Sequence, residues 1–176
     1  MSEVDELSRM YLFRTVQRAA LNDLVALAPP VHFNRGDRIF ETGANADVAL
    51  LLISGRLVAS VGEGKDARTL GDIRPGEIVG EQGLFIPGGQ RSATVMAADV
   101  SSALLLSPQV MDHAARNPAI VAIEQHLLGT LARRIRSTNQ AIQQAWKVEA
   151  PAGPVADTAP RKRTLRERLA SLFGGE

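Results

Sequence analysis

Between Val31 and Ser107 the chain alternates short apolar runs with glycines. RIF, VALLLIS, RLVASV, EIV, SATVMAA and SALLL are separated by turns at Gly36, Gly43, Gly55, Gly62, Gly71 and Gly76. Many short strands with turn signals at this spacing predict a β-sandwich, jelly roll or barrel. The most apolar stretch, VALLLISGRLVASV, carries Arg56 and is too short to span a bilayer.

Helical texture flanks this region. Residues 4–29 read as helix: Leu21, Leu24, Val25 and Leu27 fall close to one face, and Pro29-Pro30 ends the segment. After Ser107, the Ser-Pro pair at 107–108 suits an N-cap followed by proline at the first helical position. Asn117-Pro118 opens a longer helix reaching to about Lys147. Its apolar residues change face part-way. Ile120, Ile123 and Leu127 form one stripe, expected to pack on the β-domain. Leu128, Leu131, Ile135, Thr138, Ile142 and Ala145 form a second, at spacings of three and four, as in a coiled-coil seam. A single amphipathic helix packed on its own domain is the other reading. The seam reaches further than one small domain can cover, so self-association into a homodimer is expected. Trp146, the only tryptophan, is expected to pack near the helix end.

The remaining segment differs again. EAPAGPVADTAP is linker-like, with little to bury. RKRTLRERLASLFGGE follows, with five basic and two acidic side chains and a Leu/Phe face; Thr164 and Glu167 suit a capping box. The expected organisation is an N-terminal helical segment (1–30), a β-roll with its C-terminal helices (31–147), a linker (148–160) and a basic tail helix (161–176). The tail is expected to dock on a protein partner, with a membrane surface second and DNA third. A disordered tail is the alternative.

Composition excludes some chemistry. The chain has no cysteine, so disulfides, thiolate metal sites and a cysteine nucleophile are absent. His32, His113 and His126 lack metal spacing and read as surface or packing residues. A net charge of +1 and 45% hydrophobic residues are ordinary for a soluble protein. The N-terminus, MSEVDELSRM, is unlike a secretory signal. A soluble, cytoplasmic protein without metal or catalytic constellation is expected.

One stretch carries ligand chemistry: GEQGLFIPGGQRSATV, from Gly80 to Val95. Gly80 and Gly83 let the backbone approach a ligand. The run after Glu81 can form a helical turn whose N–H groups attract an anion. Arg91 offers a planar fork of donors for phosphate oxygens, and Ser92 a hydroxyl beside it. Glu81 repels phosphate, so it should face a hydroxyl, as a ribose provides. Acid for sugar and base for phosphate together describe a nucleotide.

This stretch resembles the phosphate-binding cassette of the cyclic nucleotide-binding domain, most closely in the sensor domain of Crp/Fnr-type catabolite activators. The likeness extends over roughly residues 12–147, through RGDRIFETG, LISGRL and ARRIRSTN. The resemblance implies an α+β fold: a double-stranded β-helix (jelly roll) with N-terminal helices and a long C-terminal helix. It implies that Glu81 accepts from the ribose 2′-hydroxyl. Arg91 would pair with the cyclic phosphate, helped by Ser92, Ala93 and the backbone of Gly80, Glu81, Gln82, Gly83 and Leu84. Thr138 would touch the adenine. Asn139 stands where the family has serine and can still donate and accept there. Such relatives continue into a helix-turn-helix, which linker and tail are too short to form. The expected function is a stand-alone sensor of cAMP, with cGMP possible, relaying binding through the long helix and tail. The alternatives are a dimerising scaffold that binds no nucleotide, a DNA-binding regulator using the basic tail, and a regulatory subunit for an enzyme encoded elsewhere.

Overall fold

The computed structural model describes residues 2–62 and 64–149, so the expectations for residues 150–176 lie outside the described residues. Two compact units are distinguished, Met1–Arg136 and a second beginning at Ser137.

The first unit opens with α1 (Glu3–Arg9), a single 3-10 turn (Tyr11–Phe13) and α2 (Arg18–Leu27). Ser2 caps α1 through a capping box with Asp5. The helix expected over 4–29 is broken twice, at the extended residues Met10 and Gln17. Those breaks turn the segment back on itself. Val4, Leu7, Phe13, Leu21 and Leu24 thereby enter one core.

Ten strands follow. β1 (Pro30–Phe33), β10 (Ser101–Leu106), β4 (Ala49–Ser54) and β7 (Ile78–Val79) form one antiparallel sheet in that order. β2 (Arg38–Phe40), β9 (Thr94–Ala97), β5 (Leu57–Val61) and β6 (Arg68–Ile73) form the second. β3 (Asn45–Ala46) and β8 (Gly89–Gln90) pair as a short ladder. This antiparallel roll is one of the architectures the glycine punctuation predicts and the one the family resemblance implies.

The run ALLLIS explains how the layers are joined. Alternate strand residues face opposite sides of a sheet. In β4, Leu50 and Leu52 enter a core with Leu57, Ile73, Val95 and Ala97 of the second sheet. Ala49, Leu51 and Ile53 enter the helical core instead. The strand is therefore apolar at nearly every position because both its faces are covered. β10 repeats the pattern, with Ala103 on one side and Leu104 and Leu106 on the other.

The described residues hold three further α-helices, α3 (Gln82–Phe85), α4 (Pro108–Met111) and α5 (Pro118–Glu149). Ser107 caps α4 as expected, its hydroxyl accepting from the Val110 N–H. Asn117 anchors the start of α5: its Oδ1 accepts from the Ala119 N–H, and its Nδ2 donates to the Ala20 carbonyl. Ile120, Ile123 and Leu127 are buried in the helical core, fixing this part of α5 against α1, α2 and the first sheet. From Ala132 to Trp146 every α5 residue is exposed. Trp146, at 69% exposure, does not pack as its sequence position suggested, because the helix there is solvent-facing on all sides. No helix among the described residues is long and apolar enough to cross a membrane.

Candidate functional site

Cassette residues and α5 together wall a cavity of about 500 Å3. That size is typical of a small-molecule site. Gly80, Glu81 and Gln82 contribute from the β7–α3 junction, and Arg91, Ser92 and Ala93 from the segment after β8. Six of the ten residues singled out in the sequence thus share one cavity.

Arg91 is its electrostatic centre. The residue is only 7% exposed. Its Nη1 donates to the Val48 carbonyl at 2.7 Å and to the Gly80 carbonyl at 3.3 Å. The guanidinium stacks over the Phe40 ring, 3.6 Å from its centroid. Backbone bonds at the same residue, to the Ala44 carbonyl at 2.8 Å and from the Gly43 N–H at 2.9 Å, fix the strand segment that carries it. Burial lowers its pKa from the usual arginine range, and Asp47 opposes that shift. An arginine stays charged even so. Asp47, 71% exposed at its side chain, approaches Nη2 only to 3.7 Å. Five donors are available on a guanidinium, and the described residues occupy only Nη1. A buried cation with donors in reserve calls for an anion.

Gly80 makes this geometry possible. Its φ is +80°, in the left-handed region that favours glycine. A Cβ there would lie 2.6 Å from Arg91 Nη1 and 2.8 Å from Phe40 Cε2. The glycine is needed both for its turn and for the guanidinium beside it.

Glu81 is equally buried at 7% exposure, and accepts a hydrogen bond from Nη1 of Arg134 on α5. It does not pair with Arg91, whose carboxylate neighbour is Asp47. The Glu81 carboxylate can accept more than one bond, which leaves it capacity for a hydroxyl of a bound molecule.

Two other cassette residues act in packing. Gly83 sets α3 against β3 and β4: a Cβ would lie 3.0 Å from the carbonyl carbon of Ala46 and from the nitrogens of Asp47 and Val48. Leu84 packs against the helical core. Neither lines the cavity. Thr138 and Asn139 are exposed residues of α5 in the second unit.

Sequence reasoning passed over Phe40, Asp47, Arg134 and His126. Phe40 and Arg134 lie inside the quoted RGDRIFETG and ARRIRSTN segments, but nothing local marks them as neighbours of the cassette. His126, read as an ordinary packing or surface residue, lines the cavity. Its pKa is lowered by burial first and then by Arg133, with Glu77 opposing. Among the described residues no three His, Asp or Glu side chains gather as a metal site.

The cavity of this jelly roll thus combines a buried guanidinium with donors in reserve, a buried carboxylate and a helical wall. The cyclic nucleotide-binding domain model matches residues 30–117. The chain belongs to that family. It is 27% identical, over 171 residues, to a CRP-like cAMP-activated global transcriptional regulator of Mycobacterium tuberculosis, an alignment covering 96% of this chain and 73% of that protein. Among solved structures it resembles the N-terminal domain of a transcriptional regulator from Streptomyces coelicolor A3(2), with 29% identity, a TM-score of 0.59, and coverage of 78% of this chain and 95% of that one. It also resembles the catabolite activator protein of Thermus thermophilus, with 25% identity and a TM-score of 0.65, covering 76% of this chain and 62% of that one.

Proposed function

We propose that the cavity binds cAMP and that the chain is a cyclic nucleotide sensor, signalling through α5. The observation that carries this reading is the Arg91 guanidinium, buried yet left with open donors beside a carboxylate suited to a sugar hydroxyl. Phosphate would complete the charge at Arg91, aided by the Ser92 hydroxyl. Glu81 would accept from the ribose. A relative described as cAMP-activated and a solved neighbour described as a cAMP-binding acyltransferase from Mycobacterium smegmatis (25% identity, TM-score 0.57) favour adenine over guanine.

The relay follows from where the cassette touches α5. Arg134 joins Glu81, so movement of the cassette onto a ligand bears directly on the helix. A ligand shifts such an equilibrium only by its difference in affinity between the two helix positions. The apolar residues Leu128, Ile135 and Ile142, seven apart and all exposed, support self-association through α5. The 161–176 tail is the proposed output toward a protein partner.

Calorimetric titration with cAMP and with cGMP tests the reading. Saturable heat with cAMP, weaker with cGMP, is the expected result. No heat and no thermal shift with either nucleotide refutes it in favour of a dimerising scaffold. Thr138 and Asn139 would meet the base, and Thr138→Ala should cost less in the same titration than Arg91→Ala.

A further inference from the structure

A second groove, of about 510 Å3, runs between the N-terminal turn (11–15) and α5. Its polar lining is rich in donors. Arg14 and Arg133 bring two guanidiniums, Thr15 and Tyr11 hydroxyls, and Gln125 an amide; no carboxylate lines it. Arg14 lies 5.6 Å above the Tyr11 ring, and Arg133 Nη2 donates to the Thr130 hydroxyl at 2.9 Å. Among the described residues neither arginine has a carboxylate within 4 Å. Two like charges lining one concavity without a counterion favour an anion between them.

Gly129, on the groove's α5 side, strengthens the case. Glycine inside a helix costs about 1 kcal/mol relative to alanine. A Cβ there would meet only Arg133 Nη1, at 3.6 Å, an ordinary contact. Packing within the protein does not require the glycine. What its missing side chain provides is open floor.

We propose that this groove binds a phosphorylated small molecule, its phosphate monoester held by Arg14 and Arg133 and its remaining part lying along the exposed Tyr11 ring. The volume exceeds what a bare anion needs and falls within the range of small-molecule sites. Tyr11 is 81% exposed and offers a flat apolar face. His126 and Arg133 line this groove and the first cavity alike, so α5 is a shared wall through which each site senses the other's charge. Burial and Arg133 lower the His126 pKa and Glu77 raises it, and a phosphate in the groove adds a negative charge that raises it further.

The test titrates phenyl phosphate into the protein and follows the His126 imidazole by NMR. The expected result is a saturable rise in the His126 pKa. Affinity should be unchanged within about twofold in Arg91→Gln, and weakened about tenfold or more in Arg14→Gln. Arg14 is exposed and outside the first cavity, and an unchanged melting temperature verifies that its variant folds. Gly129→Leu, which fills the floor while favouring helix, should block the same titration. Inorganic phosphate should bind at least about threefold more weakly than phenyl phosphate, lacking the ring that stacks on Tyr11. No saturable change in the wild type overturns the proposal, as does undiminished affinity in Arg14→Gln. A loss in Arg91→Gln places the anion in the first cavity and also overturns it. Equal affinity for the two phosphates overturns the small-molecule part.

Discussion

Glu81, at the start of the cassette helix, and Arg134, on α5, are joined by a hydrogen-bonded ion pair across 53 residues of sequence. Only one end is buried: Glu81's side chain is 9% exposed and Arg134's 60%. The pair thus links a buried, cavity-lining carboxylate to the outer surface of the helix that would carry the signal. Arg134→Gln leaves that carboxylate without its partner. With the arginine largely in solvent, the loss of stability should be about 1 kcal/mol, or about 3 °C in melting temperature. Nucleotide affinity should fall about tenfold, since the acid then repels the phosphate uncompensated. A double-mutant cycle with Glu81→Gln should give a coupling in affinity of at least about 0.5 kcal/mol. Strictly additive losses would separate the pair from the ligand.

Arg91 should dominate affinity. A hydrogen bond to a charged group contributes roughly 1.5–3 kcal/mol, so Arg91→Gln should weaken cAMP about tenfold to a hundredfold or beyond. Arg91→Lys keeps the charge but loses the planar fork and the stacking on Phe40, and should fall between wild type and glutamine. Calorimetric affinities in the order wild type, lysine, glutamine are expected; wild-type affinity in the glutamine variant would remove the phosphate from this site.

Two glycines in the cassette should fail for different reasons. Gly80→Ala forces a side chain into positive φ and against the Arg91 guanidinium, 2.6 Å from the new Cβ. It should lower stability by about 1–2 kcal/mol and displace the arginine, so affinity falls with it. Gly83→Ala meets backbone atoms of Ala46, Asp47 and Val48 at 3.0 Å, which cannot swing aside as a flexible side chain can. It should lift α3 off β3 and destabilise the fold, disturbing Arg91 only indirectly, through Val48, and so weakening affinity less than Gly80→Ala does. Denaturant unfolding and nucleotide titration of both variants separate the two effects.

The roll and the cassette were legible in the sequence because each is written locally. Glycine punctuation dictates short strands, and a glutamate and an arginine ten residues apart mark two side chains that the fold gathers on one cavity. Ser107 capping α4 and the Ile120, Ile123, Leu127 stripe were readable for the same reason. What escaped depends on the fold bringing distant segments together. Phe40 under Arg91, Arg134 on Glu81 and His126 in the cavity wall are separated from the cassette by dozens of residues, and no spacing rule connects them. The breaks at Met10 and Gln17 escaped because the apolar pattern of 4–29 suits helix throughout; burial of Leu7 and Phe13 in a shared core decided against a continuous one.

His126 should make stability depend on pH. Its folded pKa lies below the usual histidine value, so the unfolded chain binds the proton more readily. Its contribution is therefore complete above about pH 6.5 and is lost as pH falls through the folded pKa. The wild-type melting temperature should fall between about pH 7.5 and pH 5.5 by more than that of His126→Gln. Parallel slopes for the two proteins would show that the imidazole is not held neutral by burial and Arg133.

The exposed apolar residues of α5 call for a partner surface. Leu128 and Ile135 are 66% and 62% exposed, and Ile142 is 42% exposed. Their seven-residue spacing repeats a coiled-coil position, and burying such a side chain in a seam gains roughly 1.5–3 kcal/mol. In a two-fold pair each substitution is counted twice, once per helix. Ile135→Glu therefore places two like charges in the seam and should convert a dimer to monomer, raising the dissociation constant by about a hundredfold or more. Sedimentation equilibrium measures this directly. The variant should melt normally as a monomer, because Ile135 contributes nothing to either buried core. A wild-type chain that sediments as a monomer at all concentrations would leave this stripe without the proposed role.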